Sequence, residues 1–411
     1  MSLERYLLPI SILCFCCNTC YSNPIEGRLS NCVDEVLPHK EIAYPTYFGT
    51  INNEDHRFQS ELTKAIGFKP IISRLRRLDN VGSSQTSNRV VNVDDFGAKG
   101  DGTDDTKAFE KAWEEACSFA PSVFVVPKNK NYLLKPITFS GPCRSSITIK
   151  ILGSIEASSH QSDWNNKDGK HWLLFKMVDN LRVEGGGTVN GNGKTWWENS
   201  CKTNKLLALT FYSCKRLILS NLRIKDSQQM HVSIEECINV VASHLIVTAP
   251  DTSPNTDGIH IAGTRNIQIM NCVIGTGDDC ISIVSGSLNV KATNITCGPG
   301  HGISIGSLGH YESKAHVAKV MVDGATIFGT TNGVRIKTWE GGSGNARDIK
   351  FQNIVMHDVI RPIVIDQNYC DSKDPCPEQC PVSPESCPRL AYSEPEAVKF
   401  SLTKKRGKGT P

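Results

Sequence analysis

The stretch that decides the fold is Leu217-Ile218-Leu219-Ser220-Asn221-Leu222-Arg223-Ile224, in which apolar side chains recur at alternate positions. Such alternation is typical of a strand with one buried face. The pattern returns at residues 240–247, 267–274, 290–297, 320–327 and 349–356, and the fifth residues of successive copies are 23, 27, 23, 30 and 29 positions apart. A strand repeat of this length predicts an all-β solenoid, a single-stranded right-handed parallel β-helix. An antiparallel sandwich would also supply many short strands, but it would not explain the near-constant spacing.

The composition fits a soluble globular protein. Of the 411 residues, 39% are hydrophobic and 21% are charged, which argues against wholesale disorder. The formal net charge is +3, but the last eight residues include Lys404, Lys405, Arg406 and Lys408, and without these four the balance is +3 − 4 = −1. No basic field extends over the body of the chain, so we expect no nucleic-acid partner.

Residues 1–22 have the pattern of a secretory signal peptide. A charged start, Met1–Arg5, precedes an apolar run, Tyr6–Cys17, and small and polar residues follow. The run is too short for a membrane span, although an N-terminal anchor is the alternative. We therefore expect a secreted, extracellular protein without membrane association after cleavage. Four of the 17 cysteines lie in this leader, and the 17 − 4 = 13 others imply several disulfides and at least one thiol.

The rest of the chain divides into three parts. Residues 23–89 are polar and aperiodic, which indicates a pro-segment or linker. The β-helix domain is expected over residues 90–376, where an alternating strand at 90–93 leads through a turn-rich loop into a helix at Lys107–Cys117. Residues 377–411 combine an irregular, proline-rich insertion with a basic tail. We therefore expect the solenoid to lack its C-terminal coils and to expose strand edges there.

Four polar motifs fall on consecutive coils of this solenoid. They are Asn255–His260, Gly277–Cys280, Gly300–Gly306 and Arg335–Lys337. The step from Asp257 to Asp279 is 22 residues, the step from Asp279 to His301 is again 22, and the step from His301 to Arg335 is 34. Residues one coil apart stack on one face at about 4.8 Å. Three carboxylates, an imidazole and two cations are therefore predicted to line one groove.

These side chains suit acid–base cleavage of an acidic glycan. Crowded carboxylates repel, so one keeps a proton while another is ionised, and together they supply the acid and base that glycosidic cleavage needs. Asp278 and Asp279 can both reach the groove only at a bend, for which Gly277 supplies flexibility. Arg335 and Lys337 share a strand face and suit an anionic substrate.

Other interpretations of these residues are weaker. Each motif alone is typical of a solvated turn or strand face, and only the shared spacing favours a site. Carboxylates and a histidine can bind calcium or manganese, but two cations aimed at the same groove argue against a metal. The acidic loop Asp101–Asp105 lacks the ligand spacing of an EF-hand. Neither Gly185–Gly187 nor Gly300–Gly306 opens a helix, as a phosphate-binding loop does.

The four motifs resemble those of the polygalacturonases of glycoside hydrolase family 28, most closely the plant, endo-acting branch. With Asp95–Cys117 and Ile365–Cys370, the likeness extends over roughly residues 90–376. The resemblance implies a right-handed parallel β-helix that hydrolyses α-1,4 bonds between galacturonic acid units of pectin. It also implies inversion at the anomeric carbon and a reaction without a metal or other cofactor.

Roles for individual residues follow from the same resemblance. It implies that Asp278 is the general acid, that Asp257 and Asp279 activate the water, and that His301 supports protonation of the acid. The residues that it implies bind substrate or hold the site are Arg335, Lys337, Asn255 and Tyr369.

The resemblance further implies two disulfides, Cys280–Cys297 and Cys370–Cys376. Seven other cysteines between the leader and the tail receive no partner from the sequence: Cys32, Cys117, Cys143, Cys201, Cys214, Cys237 and Cys272. Asn294 begins the only N-glycosylation sequon, Asn294-Ile295-Thr296, which lies inside a predicted strand.

The leader and the resemblance together imply a secreted, endo-acting hydrolase of the cell wall with pectin homogalacturonan as its partner. We expect a monomer, because an extended groove works without a second chain. One alternative is an exo-polygalacturonase, because loops at the ends of the groove decide which bonds are reached. Another is an inactive, truncated pectin-binding product. A pectate lyase is less favoured, because elimination calls for a calcium site and a basic proton abstractor.

Overall fold

The computed structural model describes residues 88–119, 121–164, 170–198 and 206–369, and the backbone of residues 399–400. The expected signal peptide, most of the pro-segment and almost all of the tail lie outside these residues. The described strands form a 17-stranded and a 9-stranded sheet, and successive coils pair in parallel throughout. Since connections between parallel strands of one sheet are right-handed, this is the predicted right-handed parallel β-helix. None of the helices within the described ranges is long and apolar enough to cross a membrane.

The strands of the larger sheet are β1 (Arg89–Asn92), β2 (Asp101–Asp104), β3 (Ser122–Val126), β4 (Asn131–Leu134), β6 (Ile147–Ile151), β7 (Ser154–Ala157), β9 (Leu181–Glu184), β10 (Thr188–Asn190), β12 (Lys215–Lys225), β14 (Ile238–Thr248), β16 (Arg265–Met270), β17 (Val273–Gly275), β19 (Leu288–Cys297), β21 (Lys314–Phe328), β23 (Ser343–Gln352), β24 (Val355–His357) and β26 (Lys399–Phe400). The strands of the smaller sheet are β5 (Ile137–Ser140), β8 (His171–Lys176), β11 (Leu207–Tyr212), β13 (Met230–Glu235), β15 (Ile259–Ala262), β18 (Ile281–Ile283), β20 (Ile303–Leu308), β22 (Asn332–Trp339) and β25 (Arg361–Tyr369). The helices are α1 (Thr106–Ser118) and α2 (Lys194–Trp197), with 3-10 turns at Val93–Phe96, Gln161–Trp164 and His310–Glu312.

The six repeated stretches of the sequence all lie in the larger sheet, where they are β12, β14, β16–β17, β19, β21 and β23–β24. Asparagines mark one bend of the coil. Asn239, Asn266 and Asn289 have φ values of 60°, 59° and 58°, which asparagine tolerates better than most residues. The amide of Asn266 donates to Asn239 Oδ1 at 3.0 Å, and that of Asn289 donates to Asn266 Oδ1 at 2.9 Å. Asparagine side chains of successive coils are thus hydrogen-bonded to one another along this bend.

Aromatic rings fill the interior of the early coils. Phe175 stacks on Phe139 and Phe211, with ring centroids 4.7 and 5.2 Å away. Helix α1 begins and ends within one residue of the predicted bounds and buries Phe109 and Trp113 against these coils. Because a solenoid needs its terminal apolar face covered, the helix serves as the N-terminal cap of the core.

Two disulfides join described residues. Cys280 pairs with Cys297, as the resemblance implies, and Cys117 pairs with Cys143, a bridge that the sequence leaves unassigned. The second bridge depends on α1 packing against the first coils, which cysteine spacing does not reveal. The free cysteines within the described ranges, Cys214, Cys237 and Cys272, are buried. The predicted Cys370–Cys376 pair lies outside the described residues.

Near the last described coil, apolar side chains of β25 and the turn before it meet solvent. Ile360 is 74% exposed and Ile365 is 55% exposed. The backbone of β26 pairs with β23 in the larger sheet. The expectation that further coils are missing concerns residues beyond those described, and it stays a prediction.

Candidate active site

The register of the smaller sheet brings three of the polar motifs together. Ile259 of β15 pairs with Ile281 of β18, which in turn pairs with Ile303 of β20. Asp257, Asp279 and His301 each lie two residues before these isoleucines. They therefore occupy one position in three successive coils, as the step of 22 residues predicts.

A bend between β17 and β18 lets two consecutive aspartates face the same groove. The backbone N–H of Asp279 donates to Asp278 Oδ1 at 2.8 Å. The glycine before them is required by close packing: a Cβ on Gly277 would lie 1.9 Å from the carbonyl oxygen of Ser253. Glycine is therefore needed at this position because two backbones approach closely, and not for the flexibility that the sequence suggests. The Gly277 N–H also donates to Thr256 Oγ1 at 3.0 Å.

Asp278 and His301 form an ion pair across neighbouring coils. His301 Nδ1 lies 3.0 Å from Asp278 Oδ1. The hydrogen bond to Asp278 is the main cause that raises the pKa of His301. Burial alone would raise the pKa of Asp278, but the hydrogen bond and charge of His301, helped by Lys337, hold it below its usual value. The free protein therefore favours an ionised Asp278 beside a protonated His301.

Asp279 is the buried centre of an ion network and is 1% exposed. Its Oδ1 accepts hydrogen bonds from Ser304 Oγ at 2.6 Å and Arg335 Nη2 at 2.8 Å, and Lys337 Nζ lies 3.3 Å from its Oδ2. Arg335 Nε also donates to Ser304 Oγ at 3.0 Å. Buried carboxylates need this kind of compensation. The two cations predicted to face substrate are thus anchored by one carboxylate.

Asp257 is 7% exposed, and its environment differs from that of its two neighbours. Burial, followed by the charges of Asp278 and Asp279, raises its pKa to about 8, while a hydrogen bond from Ser282 opposes the shift. His260 Nδ1 lies 2.8 Å from Ser282 Oγ and 4.0 Å from Asp257 Oδ2. A carboxyl group crowded by two others favours its protonated form, and burial adds to this bias at Asp257.

Three polar residues of this site receive no role from the sequence, although two of them lie inside the quoted motifs: His260, Ser282 and Ser304. Each lies three residues after a member of the Asp257, Asp279 and His301 series and repeats the step of 22. They follow one another in register on β15, β18 and β20. The same spacing test, applied to small polar residues as well as charged ones, would have found them.

Of the remaining predicted site residues, Tyr369 and Asn255 border this cluster, whereas Asn294 lies on the larger sheet. Tyr369 ends β25, and its ring centroid is 5.0 Å from Lys337 Nζ. Asn255 lies in the turn before Asp257 with a left-handed φ of 55°. Asn294 is exposed on β19, and its amide donates to Asn271 Oδ1 at 3.3 Å.

The cluster can exchange protons, and its geometry also bears on metal binding. Ligand atoms of Asp278, Asp279 and His301 lie within 4.8 Å of one another, which is close enough for a shared ion. The carboxylate of Asp279, however, already accepts hydrogen bonds from Ser304, Arg335 and Lys337, which compete with a metal ion for its oxygens. One protonated carboxyl, one carboxylate paired with histidine, and a pair of cations form the set that general acid–base cleavage of an anionic glycan requires.

Comparisons with known proteins agree with this chemistry. The family model of glycosyl hydrolases family 28 matches residues 117–383. The chain is 60% identical to a polygalacturonase of Persea americana over 387 residues, 92% of this chain and 82% of that protein. It is 54% identical to polygalacturonase-2 of Solanum lycopersicum over 382 residues, 91% of this chain and 79% of that protein. The crystal structure of endo-xylogalacturonan hydrolase from Aspergillus tubingensis superposes with a TM-score of 0.63 at 26% identity, over 69% of this chain and 78% of that one.

Proposed function

We propose that this chain, which belongs to family 28 of the glycosyl hydrolases and is a pectin-degrading enzyme of the polygalacturonase class, is secreted. We propose further that it cleaves internal α-1,4-galacturonosyl bonds in cell-wall pectin. The observation that carries the proposal is the coil-by-coil alignment of Asp257, Asp279 and His301 beside Asp278. The enzyme works as a monomer on homogalacturonan, without nucleic acid, membrane or metal as partner.

The proposed chemistry uses three carboxyl groups in two roles. Asp278 donates a proton to the leaving glycosidic oxygen, while Asp257 and Asp279 activate the water that attacks the anomeric carbon. His301 lies against Asp278 Oδ1 at 3.0 Å and governs its protonation. The anomeric configuration inverts, because the water attacks from the face opposite the leaving group.

Before substrate binds, the proton favours Asp257 over Asp278, because burial and two neighbouring carboxylates raise the pKa of Asp257 whereas His301 and Lys337 lower that of Asp278. The proposed cycle therefore includes a proton shift within the cluster. Desolvation is the largest influence on the pKa of Asp278 and acts to raise it. A sugar ring that covers Asp278 removes more water from it and drives the proton towards it.

The substrate is held through its own carboxylate. Arg335 and Lys337 project from β22 towards Asp279, and they offer their remaining donors to a galacturonate carboxylate. Tyr369 lies against Lys337 and closes the same subsite. Asn255 supports the turn that carries Asp257. Endo action rests on the resemblance of the four motifs to the plant, endo-acting branch of the family.

The test is a digestion of polygalacturonate by the full-length enzyme, followed by viscosity and by reducing ends. Endo action predicts that viscosity collapses while few reducing ends have formed, and that oligomers of many sizes appear first. Release of monomer alone with slow loss of viscosity would establish exo action instead. Nuclear magnetic resonance of the first product should show the inverted anomer, and net retention would contradict the assigned roles.

A further inference from the structure

We propose that a row of aromatic rings beside the catalytic cluster is a second sugar-binding site, where a galacturonosyl residue beyond the one held by Arg335 and Lys337 stacks on Tyr311. The aromatic row comprises Tyr311, His310, Trp339 and Tyr369. The inference rests on the proposed function, because it extends the same substrate along the same groove.

The fold places these rings at one edge of the smaller sheet. Strands β20, β22 and β25 are parallel neighbours, so their C-terminal ends meet at the same edge. Trp339 ends β22, Tyr369 ends β25, and the two residues are register partners. His310 and Tyr311 belong to the short turn that follows β20. The strands that carry Ser304 and Arg335 thus also deliver the aromatic row.

The rings form a continuous path that starts at the catalytic cluster. Lys337 Nζ, which contacts Asp279, lies 5.0 Å from the centroid of the Tyr369 ring. From Tyr369 the next centroid, that of Trp339, is 5.3 Å away. His310 follows at 4.3 Å and Tyr311 follows His310 at 3.8 Å. The far end of this path is therefore separated from the catalytic cluster by a sequence of touching rings.

Tyr311 itself is unusual in two respects. Its side chain is 85% exposed, the largest exposure among the large hydrophobic side chains in the described residues. Its backbone is left-handed, with φ 53° and ψ 47°, and Glu312 after it has φ 56°. Two consecutive left-handed residues other than glycine are strained, and strain of this kind concentrates where a ligand is bound.

The chemistry of the occupant follows from what adjoins the row. The apolar face of a pyranose ring packs well on an aromatic face, whereas its hydroxyl groups and carboxylate remain in water. Arg335 and Lys337 already select an anionic sugar at the inner end of the path. A polymer that places one galacturonosyl unit there leads its following units out over Trp339 towards Tyr311.

The test compares Tyr311→Ala with the wild type in the full-length enzyme. Since Tyr311 is exposed, its removal should leave the thermal unfolding midpoint unchanged. We expect KM for long oligogalacturonates to rise about five- to tenfold, from the loss of partly buried aromatic surface. Turnover and the KM for the shortest cleaved oligomer should stay the same. The matched control is Phe119→Ala, which truncates another exposed aromatic residue, directly after α1.

A second measurement reports the position of the bound substrate along the groove. A hexamer labelled at its reducing end should be cut at a shifted position by Tyr311→Ala, because one contact that fixes its register is gone. Wild-type enzyme that fails to cleave polygalacturonate would defeat the proposed function itself. If the wild type cleaves polygalacturonate but Tyr311→Ala keeps the same KM and the same cut positions, the second sugar-binding site is refuted while the proposed function stands.

Discussion

Replacing Asp257 with asparagine should stabilise the folded protein while it abolishes activity. The carboxyl group is 7% exposed, and burial together with Asp278 and Asp279 raises its pKa from 3.8 to about 8. Between these two values the folded protein keeps the carboxyl protonated, whereas the unfolded chain gains free energy by ionising it, so stability falls as pH rises. Asparagine has nearly the same shape and never ionises, so the variant avoids this cost.

The size of the effect follows from the shift in pKa. Each pH unit above 3.8 costs the folded wild type about 1.4 kcal/mol until the raised pKa is reached. The penalty that Asp257→Asn removes is then about 2 kcal/mol at pH 5 and about 3 kcal/mol at pH 6. The sign is that of a group with a raised pKa: no penalty exists below the unfolded pKa, and stability falls as pH rises towards the folded pKa.

The assay is equilibrium unfolding in urea between about pH 4 and pH 6. Asp251→Asn is the control, because Asp251 is an exposed aspartate in a turn of the same coil. We expect the difference in unfolding free energy between Asp257→Asn and wild type to grow with pH, and the difference for Asp251→Asn to stay near zero. A gain that does not change with pH, or a loss of stability across the whole range, would refute the reasoning.

Three further predictions follow from the same geometry. His301→Asn should lower turnover about a hundredfold. The variant should also be less stable to heat than the wild type, most of all below the ordinary histidine pKa, and this difference should vanish as pH rises through the raised pKa of His301, because the pair with Asp278 then loses its charge. A difference that persists at alkaline pH in thermal scans would contradict this. Lys337→Gln should raise KM for polygalacturonate about tenfold or more by removing a cation from the carboxylate subsite, and an unchanged KM in initial-rate kinetics would remove Lys337 from substrate binding. The double change Cys117→Ala and Cys143→Ala should cost about 3 kcal/mol of unfolding free energy, because it opens a loop with a sequence separation of 26, and should leave turnover intact; loss of activity at temperatures where the variant stays folded would link the helix cap to the site.

Sequence alone predicts the coil architecture because its signal is local and repeated. An alternating strand that returns at a nearly fixed step can satisfy its buried face only by stacking, so register follows from spacing. The same arithmetic predicts that Asp257, Asp279 and His301 share one face. The same step connects Ser282 with Ser304, but serine alone carries little chemical signal, so the spacing does not assign these two residues a role.

What spacing cannot supply are distances across the fold and the location of protons. The Cys117–Cys143 bridge exists because α1 packs against the first coils, a tertiary contact that leaves no periodic mark. The Tyr311 ring contacts His310 in a turn whose backbone is left-handed. The pKa of Asp257 is raised because burial and two neighbouring carboxylates act on it together, and these causes appear only in three dimensions.

The central claim is that a carboxylate cluster centred on Asp278 hydrolyses the galacturonosyl bond. Its most direct test is the rate at which wild type and Asp278→Asn release reducing ends from polygalacturonate, at matched concentration and with matched thermal unfolding midpoints. The claim predicts a loss of about a thousandfold or more in the variant, with no ultraviolet absorbance from unsaturated uronides in either reaction. Equal rates for the two proteins, or products that carry that absorbance, would contradict it.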